Sequence, residues 1–336
     1  MLRRLAYASG LFKSHHPAVP VVVVGNVVVG GAGKTPTTIA LVLHLRQAGW
    51  HPGIVSRGYG RANPDQVCEV TADSKVDAAG DEPVLMAQRT QAPVFVARKR
   101  HEAVVALLRQ HPGVDIIVCD DGLQHLALAR DVSVVVFDDR GTGNGKLLPA
   151  GLLREPWPPS ARSPWRPDLA LLHRRTEKTA VDPLVVGGIP AFGARRTLAA
   201  VARSADGHST PLADLPRAGL VAVAGIARPE AFFDMLADRG VVIQDAIALP
   251  DHAAETDYDT LLDQISNRTA PDDLALICTE KDAVKLFALH TRRLADGKRV
   301  PRIWTVGLEL AVDTDFFEAF DRCLRAKATR ATVARH

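Results

Sequence analysis

The sharpest chemical signal in the chain is Gly30-Gly31-Ala32-Gly33-Lys34-Thr35, set between a run of valines and an apolar helical pattern. A glycine turn at a helix N-terminus points unpaired backbone N–H groups at an anion, and the helix dipole is positive there. Lys34 is placed to meet the β and γ phosphates of a nucleotide as an exposed point charge, and the Thr35 hydroxyl to ligate Mg²⁺. The spacing departs from G-x-x-x-x-G-K-[ST] at one position, because Val28 stands where the first glycine is expected. Val28 and Val29 complete the candidate phosphate-binding stretch. A dinucleotide fingerprint starting at Gly31 fails, since Pro36 stands where glycine or alanine is required. The competing reading is a plain glycine turn with a surface lysine, which suits Gly145-Lys146, where no Ser or Thr follows.

A nucleotide site needs a carboxylate at the end of a neighbouring strand to hold the metal. Asp115-Ile-Ile-Val-Cys-Asp120-Asp121 supplies an apolar strand ending in two of them. Asp81 and Glu82 open another predicted helix, where Asp81 is either an N-cap or a general base. In the second half, Pro250-Asp251-His252 follows a predicted strand and is either a catalytic pair facing a cleft or an ordinary polar loop. His125 is open in the same way.

These residues need elements to position them. Val21 onward is a β-branched run of the kind seen in strands buried on both faces of a parallel sheet, and Thr35 to Ala48 repeats apolar residues at helical spacing before Gly49. Strand patterns recur at 53–56, 92–97, 115–119 and 132–137, with a helix over 101–110. Prolines 156, 158, 159, 164 and 167 predict a linker. Beyond it come a strand at 169–172, a β-rich connector over 185–203, strands at 219–224, 241–246 and 274–278, and helices at 229–239, 258–265 and 282–289. The fold class expected is α/β, a P-loop NTPase-like doubly wound, mainly parallel sheet over residues 1–160, followed by a linker and a second, smaller α/β lobe over 161–336.

The chain of 336 residues is 47% hydrophobic and 24% charged, a globular composition that excludes bulk disorder. A net charge of +3, with basic residues scattered, argues against nucleic acid as a partner. Four cysteines without C-x-x-C spacing give no disulfide framework or thiolate zinc site and suit a reducing compartment. No apolar run is long enough to span a bilayer. Residues 1–16 hold Leu2, Leu5, Leu11 and Phe12 among Arg3, Arg4 and Lys13, a short basic amphipathic pattern suited to an anionic membrane surface or to a frayed terminus.

The set of motifs resembles the tetraacyldisaccharide 4'-kinase family across nearly the whole chain. The resemblance runs through Val19–Asn26, Val29–Pro36, Ser56-Arg-Gly-Tyr-Gly60, Gly80-Asp-Glu-Pro83, Asp120-Asp-Gly-Leu-Gln-His125, Gly143–Gly151, Leu153-Arg-Glu-Pro156, Pro250-Asp-His252 and Thr279–Lys285. It implies transfer of the γ-phosphoryl group of ATP to the 4'-hydroxyl of tetraacyldisaccharide 1-phosphate, with Mg²⁺, at the cytoplasmic face of a Gram-negative inner membrane and without an obligate protein partner. By the same resemblance, Thr35, Glu82, Asp120 and Asp121 surround the metal, Asp81 takes the hydroxyl proton, and His252 assists. Asn144 and Arg100 would contact the disaccharide. Family members carry a longer apolar segment ahead of the first strand, so either the anchor is reduced here or the true start lies upstream. A nucleotide switch of the partitioning type would require a lysine where Val29 stands, and a soluble small-molecule kinase would lack the Asp-His pair.

Overall fold

The computed structural model describes residues 4, 6, 7, 9–161, 163–174, 186–216, 219–268 and 275–333. In chain order the elements are β1 (Val21–Gly25), α1 (Lys34–Gln47), β2 (Pro52–Ser56), β3 (Cys68–Val70), α2 (Val76–Ala79), α3 (Asp81–Thr90), β4 (Val94–Val96), α4 (Arg100–Gln110), β5 (Ile116–Cys119), β6 (Val132–Phe137) and β7 (Leu169–Arg174). They continue with β8 (Ala191–Ser204), β9 (Ser209–Pro211), β10 (Leu220–Ala224), α5 (Pro229–Asp238), β11 (Asp245–Ala248), α6 (Glu255–Arg268), β12 (Ala275–Thr279), α7 (Glu280–Ala295), β13 (Arg302–Val312) and α8 (Thr314–Val333).

Two compact units divide the chain, one of Met1–Arg196 with Leu310–His336 and a smaller one of Thr197–Glu309. In the first, strands lie in the order β8-β7-β6-β1-β5-β2-β4-β3, with antiparallel β3 at the edge of β4. The valines of β1 are all buried, because parallel β5 and β6 flank the strand and helices cover the sheet's faces. The chain leaves β1 towards β2 on one side while β6 lies on the other, so the order reverses at β1. Ligands of open parallel sheets bind beyond the C-terminal strand ends at such a point. The smaller unit has its own core and runs β11-β10-β12-β13 in parallel, with β9 antiparallel to β8.

The division differs from the boundary expected near residue 160. The proline-rich segment does not separate two bodies: Trp157 packs edge-on against Phe137 of β6, with ring centroids 5.2 Å apart. After it, β7 pairs in parallel with β6 and extends the first sheet. Prolines exclude regular structure, but they do not prevent packing. The chain instead passes between units within β8 and again within β13. β3, β13 and α8 were not anticipated. The strand expected at 241–246 lies later, at β11, because Val241 closes the preceding helix through its N–H to the Leu236 carbonyl at 3.0 Å.

Of the amphipathic N-terminal pattern, residues 1–3 and 5 lie outside the described residues. Leu11 and Phe12 are 75% and 50% exposed. Among the described residues no helix is long and apolar enough to cross a membrane.

Candidate nucleotide and phosphoryl-transfer site

The turn between β1 and α1 is built so that a valine can hold the place of the first P-loop glycine. Val28 forms an antiparallel bridge with Leu153, and the Val29 N–H donates to the Leu152 carbonyl at 2.9 Å. Extended pairing suits a β-branched residue. The left-handed turns fall later, at Gly30 and Gly33, with φ of 92° and 91°. Arg140, held by the Asp138 carboxylate at 2.9 Å, donates to the Val29 carbonyl at 3.2 Å and lies against Gly30. The Asn26 side chain donates to the Gly30 carbonyl at 3.3 Å. Neither Asn26 nor Arg140 has a place in the G-K-[ST] pattern, although Asn26 ends one of the family motifs quoted above.

Lys34 and Thr35 open α1. Contrary to the exposed charge expected, the Lys34 side chain is only 12% exposed, and its Nζ lies 3.6 Å from Asp121 Oδ1. Asp121 takes a left-handed φ of 48° directly after β5, and Arg154 reaches the same carboxylate at 3.3 Å. The adjacent Asp120 points into the protein. It is buried, accepts the Thr38 hydroxyl at 2.9 Å, and has Ser56 Oγ at 3.5 Å. Burial, then the charges of Glu82 and Asp121, push its carboxyl up to about 7, against Lys34 and the Thr38 hydroxyl. Desolvation is the larger cause, and the two neighbouring carboxylates add to it.

Asp81 reaches this edge through glycine contacts. Gly80 has a φ of 90°, and a Cβ there would lie 3.0 Å from the Tyr59 carbonyl, so only glycine lets the start of α3 press on the turn that follows β2. Asp81 is 3% exposed and accepts the Glu82 N–H at 2.8 Å.

The two residues assigned to the disaccharide are engaged within the protein. Arg100 is 6% exposed, donating to the carbonyls of Arg98 at 3.1 Å and Asp121 at 3.3 Å, while its N–H donates to His125 Nε2. Through these bonds it braces the Asp121 turn. Exposed Asn144 closes its own loop, donating to the Ala150 carbonyl at 2.9 Å and accepting from the Lys146 N–H at 3.1 Å.

In the smaller unit, His252 has a left-handed φ of 60° in the loop after β11. Its Nε2 is 3.9 Å from Asp251 Oδ1, beyond hydrogen-bonding reach, whereas Lys281 Nζ is 2.9 Å from that oxygen. The motif at 279–285 fastens this loop. Lys285 donates to the Ala253 carbonyl at 2.7 Å, and buried Asp282 accepts the Gly225 N–H at 3.0 Å and the Tyr258 hydroxyl at 2.5 Å. Burial raises the Asp282 carboxyl, and the hydrogen bonds of Thr279, Tyr258 and Gly225 oppose it.

A family model described as tetraacyldisaccharide-1-P 4'-kinase matches residues 1–325. The chain belongs to the tetraacyldisaccharide 4'-kinase family. Among kinases of that name, one from Delftia acidovorans is 47% identical over 97% of this chain and 87% of its own length. One from Acidovorax ebreus is 49% identical over 95% and 85%. The fold matches LpxK of Aquifex aeolicus, solved in complex with ATP, with a TM-score of 0.73 and 25% identity over 96% of this chain and 94% of that one. The valine at position 28 thus lies in a 4'-kinase with a P-loop NTPase-like fold.

The charge on Asp120 has a measurable consequence. Its folded-state pKa of about 7 exceeds the ordinary 3.8, so the folded protein binds the proton more tightly than the unfolded chain. Its contribution to stability is therefore greatest at acid pH and falls as the pH rises from roughly 4 to roughly 7. Asp120→Asn preserves shape and the Thr38 contact without the charge. In ligand-free protein at about pH 7.5 it should raise Tm by roughly 2–4 °C, measured by calorimetry. An unchanged or lower Tm would show that the buried carboxylate is not a cost to folding.

Proposed function

We propose that this protein transfers the γ-phosphoryl group of ATP to the 4'-hydroxyl of a tetraacylated glucosamine disaccharide 1-phosphate, a step of lipid A biosynthesis. The observation that carries the reading is the meeting of the P-loop lysine with Asp121, the second of the paired carboxylates after β5, in a chain of this family. Phosphoryl transfer asks a protein for positioning and charge stabilisation. The turn at Gly30–Gly33 and Lys34 supply the first positive field for the phosphates.

The donor set suits a divalent cation. Among the described residues no three His, Cys, Asp or Glu side chains form a metal-holding group by themselves. Mg²⁺ commonly takes one or two carboxylates, with phosphate oxygens and waters completing its shell, and the Asp120 carboxyl is raised in part by the charges of Glu82 and Asp121 beside it. Thr35, Asp120, Asp121 and Glu82 would hold the ion, which when bound neutralises charge on the β and γ phosphates. Asp81 takes the proton from the 4'-hydroxyl as its oxygen bonds to the γ phosphorus and the bond to the β–γ bridging oxygen breaks. ADP leaves with the bridging oxygen.

His252 contributes to transfer and not to nucleotide binding. His252→Ala is therefore expected to lower disaccharide phosphorylation about 10²-fold, with the Kd for ATP within about twofold of wild type. Equal turnover at saturating disaccharide in detergent would make Asp251-His252 an ordinary polar loop. We also propose peripheral attachment to an anionic membrane surface at the cytoplasmic face, for which the exposed Leu11 and Phe12 supply an apolar contact. The function is tested by incubating the protein with γ-labelled ATP and the disaccharide 1-phosphate in detergent micelles. Label in the lipid is the expected result; release of inorganic phosphate alone, unaffected by the disaccharide, would favour a nucleotide switch.

A further inference from the structure

Beneath the glycine turn lies a file of polar side chains that the P-loop pattern does not contain. His173, on β7, is 5% exposed and pairs in register with Ala194 of β8. Arg196 lies two residues further along β8, on the same face. Arg196 Nε is 3.0 Å from His173 Nδ1, His173 Nε2 is 3.0 Å from Thr37 Oγ1, and Thr37 Oγ1 is 2.9 Å from the Gly33 carbonyl oxygen.

The chemistry of the donors fixes the direction of every bond in this file. A guanidinium N–H can only donate, so His173 Nδ1 accepts and the ring proton sits on Nε2. Nε2–H then donates to Thr37, and the Thr37 hydroxyl proton is left for the Gly33 carbonyl. A protonated imidazole would have no lone pair for Arg196. Burial, and then the Arg196 charge, hold His173 well below the ordinary histidine range, consistent with this neutral tautomer.

The same side chains also set the shape of the turn. Gly33 is the residue before α1, with φ at 91° and no side-chain cap. A Cβ at Gly33 would lie 2.4 Å from both His173 Cε1 and Arg196 Nη2. The imidazole and guanidinium are therefore packed against the Gly33 backbone, and they grip its carbonyl through Thr37. That carbonyl also accepts the Thr37 N–H at 3.2 Å, so its direction fixes the first turn of α1, where Lys34 and the phosphate-facing N–H groups sit.

We propose that Thr37, His173 and Arg196 are positioning residues for the phosphates of ATP, holding the Gly33 turn in its anion-binding shape from below. The inference rests on the P-loop reading above. It goes further by assigning part of nucleotide affinity to side chains on β7 and β8 that touch no phosphate.

The test uses the full chain and follows KM for ATP, kcat and Tm in parallel. Thr37→Val removes the hydroxyl at nearly constant volume. It should raise KM for ATP about tenfold with kcat changed less than about threefold. Thr37→Ser restores the bond and should return KM to within about twofold of wild type. His173→Phe should reproduce the Thr37→Val effect, and the double variant should add little to either, because both break one file. A fall in Tm with KM unmoved, or a serine variant no better than the valine one, would overturn the proposal and leave a structural network only. Lys34→Ala separates this outcome from a failure of the P-loop reading, which would appear as ATP turnover indifferent to Lys34.

Discussion

Replacing Lys34 with alanine should lower kcat/KM for ATP by about 10³-fold or more, with the protein still folded. The ammonium is largely covered and lies 3.6 Å from Asp121 Oδ1, so in the ligand-free protein it already offsets part of the carboxylate charge. Its loss acts twice. The phosphates lose the cation at the head of α1, and Asp120, whose carboxyl Lys34 holds down, is pushed further towards its neutral form. Arg154 remains beside Asp121 at 3.3 Å, so the turn keeps a cation and should hold its shape. Circular dichroism and Tm should therefore stay near wild type while transfer collapses, as followed by γ-labelled ATP. Turnover within about tenfold of wild type at saturating ATP would remove Lys34 from the phosphate site.

How much of this site was legible in the sequence depends on whether a residue acts through its neighbours along the chain or through contacts across the sheet. The glycines, Lys34 and Thr35 occupy adjacent positions that strand, turn and helix must place together, so pattern alone locates them. Asp120 and Asp121 were legible as a pair, because an apolar strand ends there. Their different roles were not, since the division comes from the left-handed φ of 48° at Asp121, which turns its carboxylate towards Lys34 and Arg154.

Across-sheet partners left no local signal. Thr38 reads as one more helical residue until Asp120 is found 2.9 Å from its hydroxyl. His173 and Arg196 lie well over a hundred residues beyond the turn they support. Arg100, assigned to the disaccharide through the family resemblance, has the same kind of hidden partner, since no pattern shows that its guanidinium donates to the carbonyls of residues 98 and 121. Prolines misplaced the domain boundary for a similar reason, because they report backbone geometry and carry no information on packing across space.

The second large effect is expected at Asp81, where Asn should lower kcat about 10³-fold and leave KM for ATP within about threefold. The position favours a base over a cap. An N-cap carboxylate accepts the N–H groups two or three residues on, whereas the N-cap of α3 is Gly80, Asp81 is the first helical residue, and an Asp81 oxygen accepts the Glu82 N–H next to it. The carboxylate is 3% exposed, and it is carried to the C-terminal edge of the sheet by the contact of Gly80 with the Tyr59 carbonyl. A base contributes as the hydroxyl proton leaves, so its loss should appear in kcat and spare nucleotide binding. Asn keeps the size of the side chain and a carbonyl oxygen for the Glu82 N–H but cannot take a proton at neutral pH. Measuring both constants across a Mg²⁺ series separates the two roles. A rise in KM for ATP that extra Mg²⁺ reverses would make Asp81 part of the metal's surroundings, and the proton acceptor would then have to be another carboxylate at the same edge, with Glu82 the nearest in sequence.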